Sequence, residues 1–435
     1  MMASPETGLV GVAILLVLLV LGVPIGAALG LVGIGGLVLI LGFEPALIKT
    51  GVTAIDTLTR YELGTLPLFM MMAHLLLSAN ASRDLFDAAS RLVGHRRGGL
   101  AYAAIGGCAS LGAINGSSLA TTATVGLVAL PEMRARGYAP GFAAGTIAAG
   151  GTLGQLIPPS GALIVYGIVA EQSLGKLFAA ALIPAALQIL LYVVAVAVVV
   201  RLRPGIAPPS ERRGWSERLT ALIRVADLLL LIVLVIGGIA LGWFSPSEAA
   251  SIGVAGSLLL TARRGQLNRN SLFRAFEETL RTSGMILLVI IGALIFSVFL
   301  SVTGLAETIG ATVTGLGLGQ AATLVLVAII LLLLGSMLDG LGLMLLATPI
   351  LSPVVTSVGM SEIWFGIFLI RAMEIGFIHP PLGLNLYVMQ GVAPDIPVAR
   401  IFRGVAPFLL TDFLSLALFI AFPVLITGLP QWAGL

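Results

Sequence analysis

Two proline pairs interrupt apolar stretches that are otherwise long enough to cross a membrane. They lie in Pro158-Pro159-Ser160-Gly161 and in Pro380-Pro381-Leu382-Gly383, so the pattern PPxG occurs once in each half of the chain. Proline lacks a backbone donor and clashes with the preceding turn, so each pair must break its helix. In lipid, a broken helix is tolerated only where it packs in protein or lines a wet cavity. Such paired breaks indicate the binding site of a transporter.

The composition predicts an all-α polytopic membrane protein. Hydrophobic residues make up 58% of the 435 residues and charged residues only 10%, whereas a soluble domain has about a quarter charged residues. The net charge of +3 comes from arginines between the apolar runs, so it indicates topology and not binding to nucleic acid. The sequence contains no GxxxxGK[ST] loop, so we expect no use of ATP.

Arginine placement divides the chain. The stretch 201–224 carries six arginines and three prolines, which predicts a cytoplasmic linker between a first half, 1–200, and a second half, 225–435. In the first half, the apolar stretch 98–133 has arginines at both ends but arms of only 14 and 12 residues. Such arms reach roughly 18–21 Å, less than the ~30 Å of a bilayer core. We therefore predict a re-entrant hairpin at about 98–133, followed by a broken helix at about 141–172.

The second half repeats this order less clearly. An interruption at Asp339-Gly340 predicts a second hairpin at about 320–356, and the second proline pair lies inside a broken helix at about 363–393. The arms of this hairpin are long enough to span, so the prediction depends on symmetry with the first half. Arginine placement gives the second set the opposite orientation, which predicts an inverted repeat.

Small polar residues at the predicted tips and breaks are candidate ion ligands. Hydroxyl, amide and helix-end carbonyl oxygens can coordinate Na⁺ without a buried net charge, and half-helix N-termini attract an anionic substrate. The alternative is that each Ser or Thr only caps or bonds its local backbone. The first tip is Asn115-Gly116-Ser117-Ser118.

Four ionisable residues also lie within apolar runs. Asp339 is a functional candidate because an acidic residue is costly there, although it could cap a helix at the membrane surface. Arg371 and Glu374 are spaced for a structural ion pair, and the alternative is that Arg371 faces the cavity and attracts a carboxylate. His379 could sense protons or simply bond to backbone. A serine intramembrane protease using Ser117 with His379 is the enzyme hypothesis.

Seven stretches together resemble the large membrane subunit of tripartite ATP-independent periplasmic (TRAP) transporters, over nearly the whole chain. These are Ser82 to Ala89, Asn115 to Ser118, Gly145 to Gly154, Leu156 to Gly161, Glu171 to Phe178, Met373 to Gly376 and Pro380 to Asn385. Their number and their order make the resemblance far more specific than any single match.

The resemblance implies a sodium-coupled importer of small organic acids in the bacterial inner membrane, with an elevator-type scaffold and transport domain similar to the ion transporter superfamily. It implies two partners, a small four-helix membrane subunit and a periplasmic binding protein that delivers the carboxylate. Carried over by position, Ser117, Ser160 and Asp339 would lie nearest the substrate. Arg371 is a further candidate for the substrate site, from its charge and position alone. The sodium ligands would be Asn115, Gly116, Ser117, Ser118, Pro158 and Gly161 at the first site, and Asp339, Gly340, His379, Pro380, Gly383 and Asn385 at the second.

Two positions depart from the family pattern. The family usually has Ser at the position of Asn115 and Thr at the position of His379. An amide oxygen can still coordinate Na⁺, but an imidazole in place of a hydroxyl changes the second site, so proton coupling stays open. The alternative function is a stand-alone sodium- or proton-coupled anion carrier of the same elevator fold.

Overall fold

The chain folds into α-helices joined by short turns. The computed structural model describes residues 4–336, 338–432 and 434, and this part of the chain contains twenty α-helices, one 3₁₀ helix (Tyr61–Gly64) and no strand. The α-helices, in chain order, are α1 Pro5–Val20, α2 Ile25–Leu41, α3 Phe43–Thr59, α4 Thr65–Ser78, α5 Ala81–Val93, α6 Gly99–Asn115, α7 Ser118–Ala135, α8 Pro140–Leu156, α9 Gly161–Val169, α10 Leu174–Leu202, α11 Trp215–Ala240, α12 Pro246–Arg263, α13 Arg269–Thr303, α14 Leu305–Gly315, α15 Gln320–Gly335, α16 Gly340–Ser357, α17 Glu362–Gly376, α18 Leu384–Val392, α19 Val398–Ala421 and α20 Val424–Trp432.

Several helices are long and apolar enough to span a bilayer. Within the described residues six helices meet this criterion, or seven spans if α8 and α9, which meet at a bend of 41°, are taken together. The chain is therefore a multi-pass membrane protein. The arginine-rich linker predicted at 201–224 is shorter in the structure, because α10 continues to Leu202 and α11 begins at Trp215.

The first hairpin consists of α6 and α7, which meet at Gly116 and Ser117. Its arms have 17 and 18 residues, so the predicted lengths of 14 and 12 were wrong. The second arm is longer because α7 continues through Pro131 to Ala135, where few turns remain to be disrupted. The arms reach roughly 25–27 Å at the α-helical rise, still less than a bilayer core.

Each hairpin packs against a broken helix. Both arms of the first hairpin, α6 and α7, lie against α8, and both arms of the second, α15 and α16, lie against α17. Glycine allows the closest of these approaches, since a Cβ atom on Gly112 would lie 2.5 Å from the Cα of Gly154. In addition α18 packs on α7 and α9 packs on α16. Each hairpin therefore also contacts a segment of the broken helix from the other half of the chain.

The remaining long helices pack beside this group. The helix α13 lies along α2, α12 lies along α4, and α11 packs on both α5 and α12. Arg264, after α12, joins these helices, because its guanidinium donates to Asp84 (2.9 Å) and to Asp227 (3.1 Å). The boundaries of the two halves, the inverted relation between them and an elevator movement stay predictions.

Candidate functional site

The first hairpin tip is held by a small polar network. The Asn115 side-chain oxygen accepts hydrogen bonds from the Ser117 backbone N–H (3.0 Å) and from the Thr121 hydroxyl (2.9 Å). Gly116 has a positive φ of 60°, a backbone conformation that is strained for residues with a side chain. The amide nitrogen of Asn115 is buried and has no partner among the described residues. The tip thus has a fixed backbone and one unused donor.

The first break lies directly against this tip. A Cβ atom on Gly116 would lie 2.8 Å from the backbone nitrogen of Gly161 and 3.1 Å from the carbonyl oxygen of Pro159. Ser160 is fully buried, and its hydroxyl accepts a bond from the N–H of Leu163 at the start of α9 (3.4 Å). Ser117 caps α7 in the same way, through the N–H of Ala120 (3.3 Å). Both serines therefore cap their local helices, as the alternative to an ion-ligand role predicts. Capping still leaves each hydroxyl proton free to donate.

Asn385 joins the first tip to the second broken helix. Its amide donates to the Ser118 hydroxyl and to the carbonyl of Ala148, each at 2.9 Å. The sequence prediction placed Asn385 with the Asp339 tip, and the structure instead brings it to the first hairpin. The reason is the exchanged packing, in which α18 lies on α7 and α8.

At the second tip, Asp339 occupies the N-cap position of α16 but makes no side-chain capping bond. Its side chain is exposed. Gly340 packs against α17, where a Cβ atom would lie 2.7 Å from the Met373 sulfur and 2.8 Å from the Phe377 ring. The predicted contact between this tip and the second broken helix is therefore present, through Gly340. Residue 337 in this tip lies outside the described residues.

The second break contributes less polar chemistry than predicted. The His379 ring lies edge-on against Phe413, with ring centroids 6.0 Å apart, and its Nδ1 is buried without a partner among the described residues. Pro380 is exposed, whereas Gly383 is buried at the start of α18. The two proline pairs match in one further detail, since Pro158-Pro159 and Pro380-Pro381 are both cis.

Arg371 forms the ion pair that its spacing with Glu374 predicts. Its side chain has no exposed surface, and it donates to Glu374 (2.6 Å), to Asp412 and to the Ser415 hydroxyl (3.0 Å). The alternative, in which Arg371 faces a cavity and attracts a carboxylate substrate, has no support in this geometry. Sequence reasoning missed Asp412, although an acidic residue inside the apolar run of α19 was a usable signal.

The arrangement presents partial charges of both signs. Four helices, α7, α9, α16 and α18, begin at the tips and breaks and present partial positive charge there. Four others, α6, α8, α15 and α17, end there and present carbonyl oxygens. The side-chain oxygen of Asn115 and the carbonyl oxygen of Pro159 lie around the first tip, whereas the His379 ring at the second break lies against Phe413. Within the described residues no three His, Cys, Asp or Glu side chains are grouped to hold a metal.

Comparison with known proteins gives one family. The model described as "Tripartite ATP-independent periplasmic transporter, DctM component" matches residues 12–425. The C4-dicarboxylate TRAP transporter large permease protein DctM of Pseudomonas aeruginosa is 34% identical over 93% of this chain and 94% of its own length. The sialic acid TRAP transporter large permease protein SiaM of Vibrio cholerae is 32% identical over 95% and 96%.

A longer relative and two solved structures add detail. The isethionate TRAP transporter permease protein DctMQ of Oleidesulfovibrio alaskensis is 31% identical over 90% of this chain, which spans only 61% of that protein. The YdaH transporter of Alcanivorax borkumensis has a TM-score of 0.62 at 18% identity and covers 98% of both chains. MtrF of Neisseria gonorrhoeae, described as one of a class of antimetabolite efflux pumps, has a TM-score of 0.64 at 14% identity. The match covers 88% of this chain and 85% of MtrF. These two likenesses concern the fold alone.

Proposed function

Because this chain belongs to the DctM component family of tripartite ATP-independent periplasmic transporters, we propose that it imports a small organic acid, driven by a sodium gradient, across the bacterial inner membrane. It is a large permease subunit and not an enzyme, since its relatives are transporter permeases. The resemblance read from its sequence is thereby confirmed.

The observation that carries the proposed substrate class is that four half-helices, α7, α9, α16 and α18, begin at the tips and breaks. Backbone N–H groups and positive dipole ends at this depth favour an anion. Relatives named for C4-dicarboxylates, sialic acid and isethionate all handle organic acids that are anionic at neutral pH. We infer a carboxylate as the cargo, bound near Ser117 and Asp339.

The same geometry supports coupling to sodium. Sodium at the first site would use the oxygens around Asn115 and the break at Pro158 to Gly161, where the tip lies against the break. Neutral oxygens at helix ends suit Na⁺ without leaving a net charge in the membrane. Sodium would then order the tip, and only the loaded tip would allow the hairpins and broken helices to move as one body. Their exchanged contacts support a common movement of elevator type, within an inverted repeat.

Two partners belong to the proposal. The relative named DctMQ is a single longer protein, which supports a small Q-type membrane subunit beside this chain. The family description names a tripartite periplasmic transporter of which the DctM component is one part, which supports a further, periplasmic partner. We expect a periplasmic binding protein to deliver the substrate and to do most of the selection.

Uptake into proteoliposomes tests the proposal. The chain is reconstituted with its co-encoded small subunit and binding protein, and uptake of a radiolabelled organic-acid panel is measured with and without an inward sodium gradient. We expect uptake that requires both the gradient and the binding protein. Uptake without the binding protein would favour a stand-alone carrier, and uptake driven by a proton gradient alone would reject sodium coupling and make His379 the next residue to change.

A further inference from the structure

A cluster of one arginine and two acidic residues lies fully buried between α10, α17 and α19. Arg371 and Glu374 are on α17 and Asp412 is on α19, and all three have 0% exposed surface. If both acids were ionised, the cluster would carry a net charge of −1 in the membrane interior. A buried charge without a counter-charge is costly, and the group usually becomes neutral instead.

Among the described residues no further positive charge lies against the cluster, since Arg400 and Arg403 of α19 are exposed near the start of that helix. The neighbouring helices α8, α9, α15, α16 and α20 contain no acidic or basic residue, and α10 has basic residues only near its two ends. The groups that face the two acids are Arg371, the Gln188 amide and the Tyr192 hydroxyl of α10 beside Asp412, and the backbone of Leu156 at the end of α8 beside Glu374. The described residues at the cluster therefore supply one positive charge for two carboxyl groups.

Hydrogen bonding distinguishes the two acids. Asp412 Oδ1 accepts from Arg371 and also from the Gln188 amide (2.7 Å). Glu374 Oε2 accepts from Arg371 alone (2.6 Å). Glu374 Oε1 and Asp412 Oδ2 are both buried without a partner among the described residues, so the two acids differ in the donors to their other oxygen. An anion is stabilised by the number of its donors, so Asp412 is the better anion of the two.

We propose that this cluster is a proton-binding site, in which Glu374 holds one proton on Oε1 while Asp412 remains ionised against Arg371. The cluster is then electrically neutral, and α17 carries no net charge inside the membrane. The inference does not depend on the proposed transport function, since it concerns only the charge balance of the folded chain.

Infrared spectroscopy of the purified protein at pH 8 tests the proposal directly. Exposed carboxyl groups are ionised at this pH, so a protonated carboxyl group gives a separate C=O band. We expect this band in the wild type and its shift after labelling with ¹³C-glutamate but not with ¹³C-aspartate. It should be absent in Glu374→Gln and unchanged in Glu132→Gln, a matched variant of an exposed glutamate.

Stability gives a second readout. Glutamine keeps the oxygen that accepts from Arg371 and replaces the protonated oxygen by an amide, so Glu374→Gln should melt within about 2 °C of the wild type. In Asp412→Asn, Glu374 should ionise to balance Arg371, and the band should disappear. The double variant leaves Arg371 unpaired and should lose several degrees more than the sum of the single changes.

Three results would overturn the proposal. The first is a wild-type spectrum without the glutamate band, which would mean that a metal cation or no ligand balances the cluster. The second is a band that persists in Glu374→Gln. The third is a Glu374→Gln protein that loses as much stability as the double variant.

Discussion

The hydrogen bonds between Ser118 and Asn385 should tie the first hairpin to the second broken helix. Ser118 is at the start of α7 and Asn385 at the start of α18, and both side chains are fully buried. The Asn385 amide donates to Ser118 (2.9 Å) and to the carbonyl of Ala148 (2.9 Å). The pair joins the two halves of the chain through two buried side chains, so it is suited to a quantitative test.

The magnitude follows from what each substitution leaves unpaired. In the wild type the Ser118 hydroxyl can also donate to the side-chain oxygen of Asn385 (3.2 Å). Ser118→Ala keeps the bond from Asn385 to Ala148 but leaves that oxygen without a donor, which costs about 1–3 kcal/mol. Asn385→Ala removes both bonds and also leaves a small cavity. Once Asn385 is gone, losing the Ser118 hydroxyl should cost little. The coupling energy between the two positions should therefore be about 1–2 kcal/mol.

The assay is a double-mutant cycle, measured by thermal unfolding in detergent and by uptake into proteoliposomes. Thr146→Val is the matched control, because the buried Thr146 hydroxyl bonds only to its own helix, at the carbonyl of Phe142. We expect the control to show no coupling with Ser118→Ala. A coupling energy near zero between Ser118 and Asn385 would refute the tie between hairpin and broken helix.

Three further predictions concern the two tips and an exposed ion pair. Asp339→Asn should abolish or strongly weaken uptake without preventing membrane insertion, because this side chain is exposed and does not support the fold; wild-type uptake rates would remove Asp339 from the mechanism. Gly116→Ala should lose uptake and stability, while Gly22→Ala, also at positive φ but with open space around it, should show only backbone strain of about 1–2 kcal/mol; equal uptake in both variants would contradict a tight fit of tip against break. Arg134 lowers the pKa of Asp395 through a hydrogen-bonded ion pair. The pair should therefore stabilise the folded state above the pKa of a free aspartate, near pH 4, and this stabilisation should be lost as the pH falls further. Arg134→Gln should remove that part of the pH dependence of melting, and an unchanged profile would argue against the pair.

The sequence could predict the breaks and tips because their signals are local. Proline and glycine mark Pro158-Pro159 and Asn115-Gly116 wherever the chain goes afterwards, and arginines at the ends of a segment indicate its topology. These signals located both broken helices and the first hairpin to within a few residues. They gave its arm lengths less well, since a proline near a helix end, such as Pro131, does not stop the helix.

The partners across the molecule could not be predicted in the same way. Asn385 was assigned to the tip of its own half, because the inverted repeat was the only guide to distance. The exchange of α18 onto α7 depends on the tertiary packing of the whole chain, which no local pattern encodes. For the same reason the spacing of Arg371 and Glu374 gave the ion pair within α17 but not the second acid, Asp412, on another helix.

The three remaining substrate candidates differ in exposure, and this difference constrains the transport cycle. Asp339 is exposed, Ser117 is half-buried and Ser160 has no exposed surface. Ser160 is covered because the tip at Gly116 lies against the break, with no room for a methyl group. A substrate that contacts Ser160 must therefore separate the tip from the break first, and interactions of the bound anion with the ends of α7 and α9 must replace the packing of tip on break. A substrate that stays near Asp339 and Ser117 needs no such opening. Uptake by a Ser160→Ala variant distinguishes these cases: strongly reduced uptake with unchanged melting would require the opening, and wild-type uptake would leave Ser160 as a helix cap.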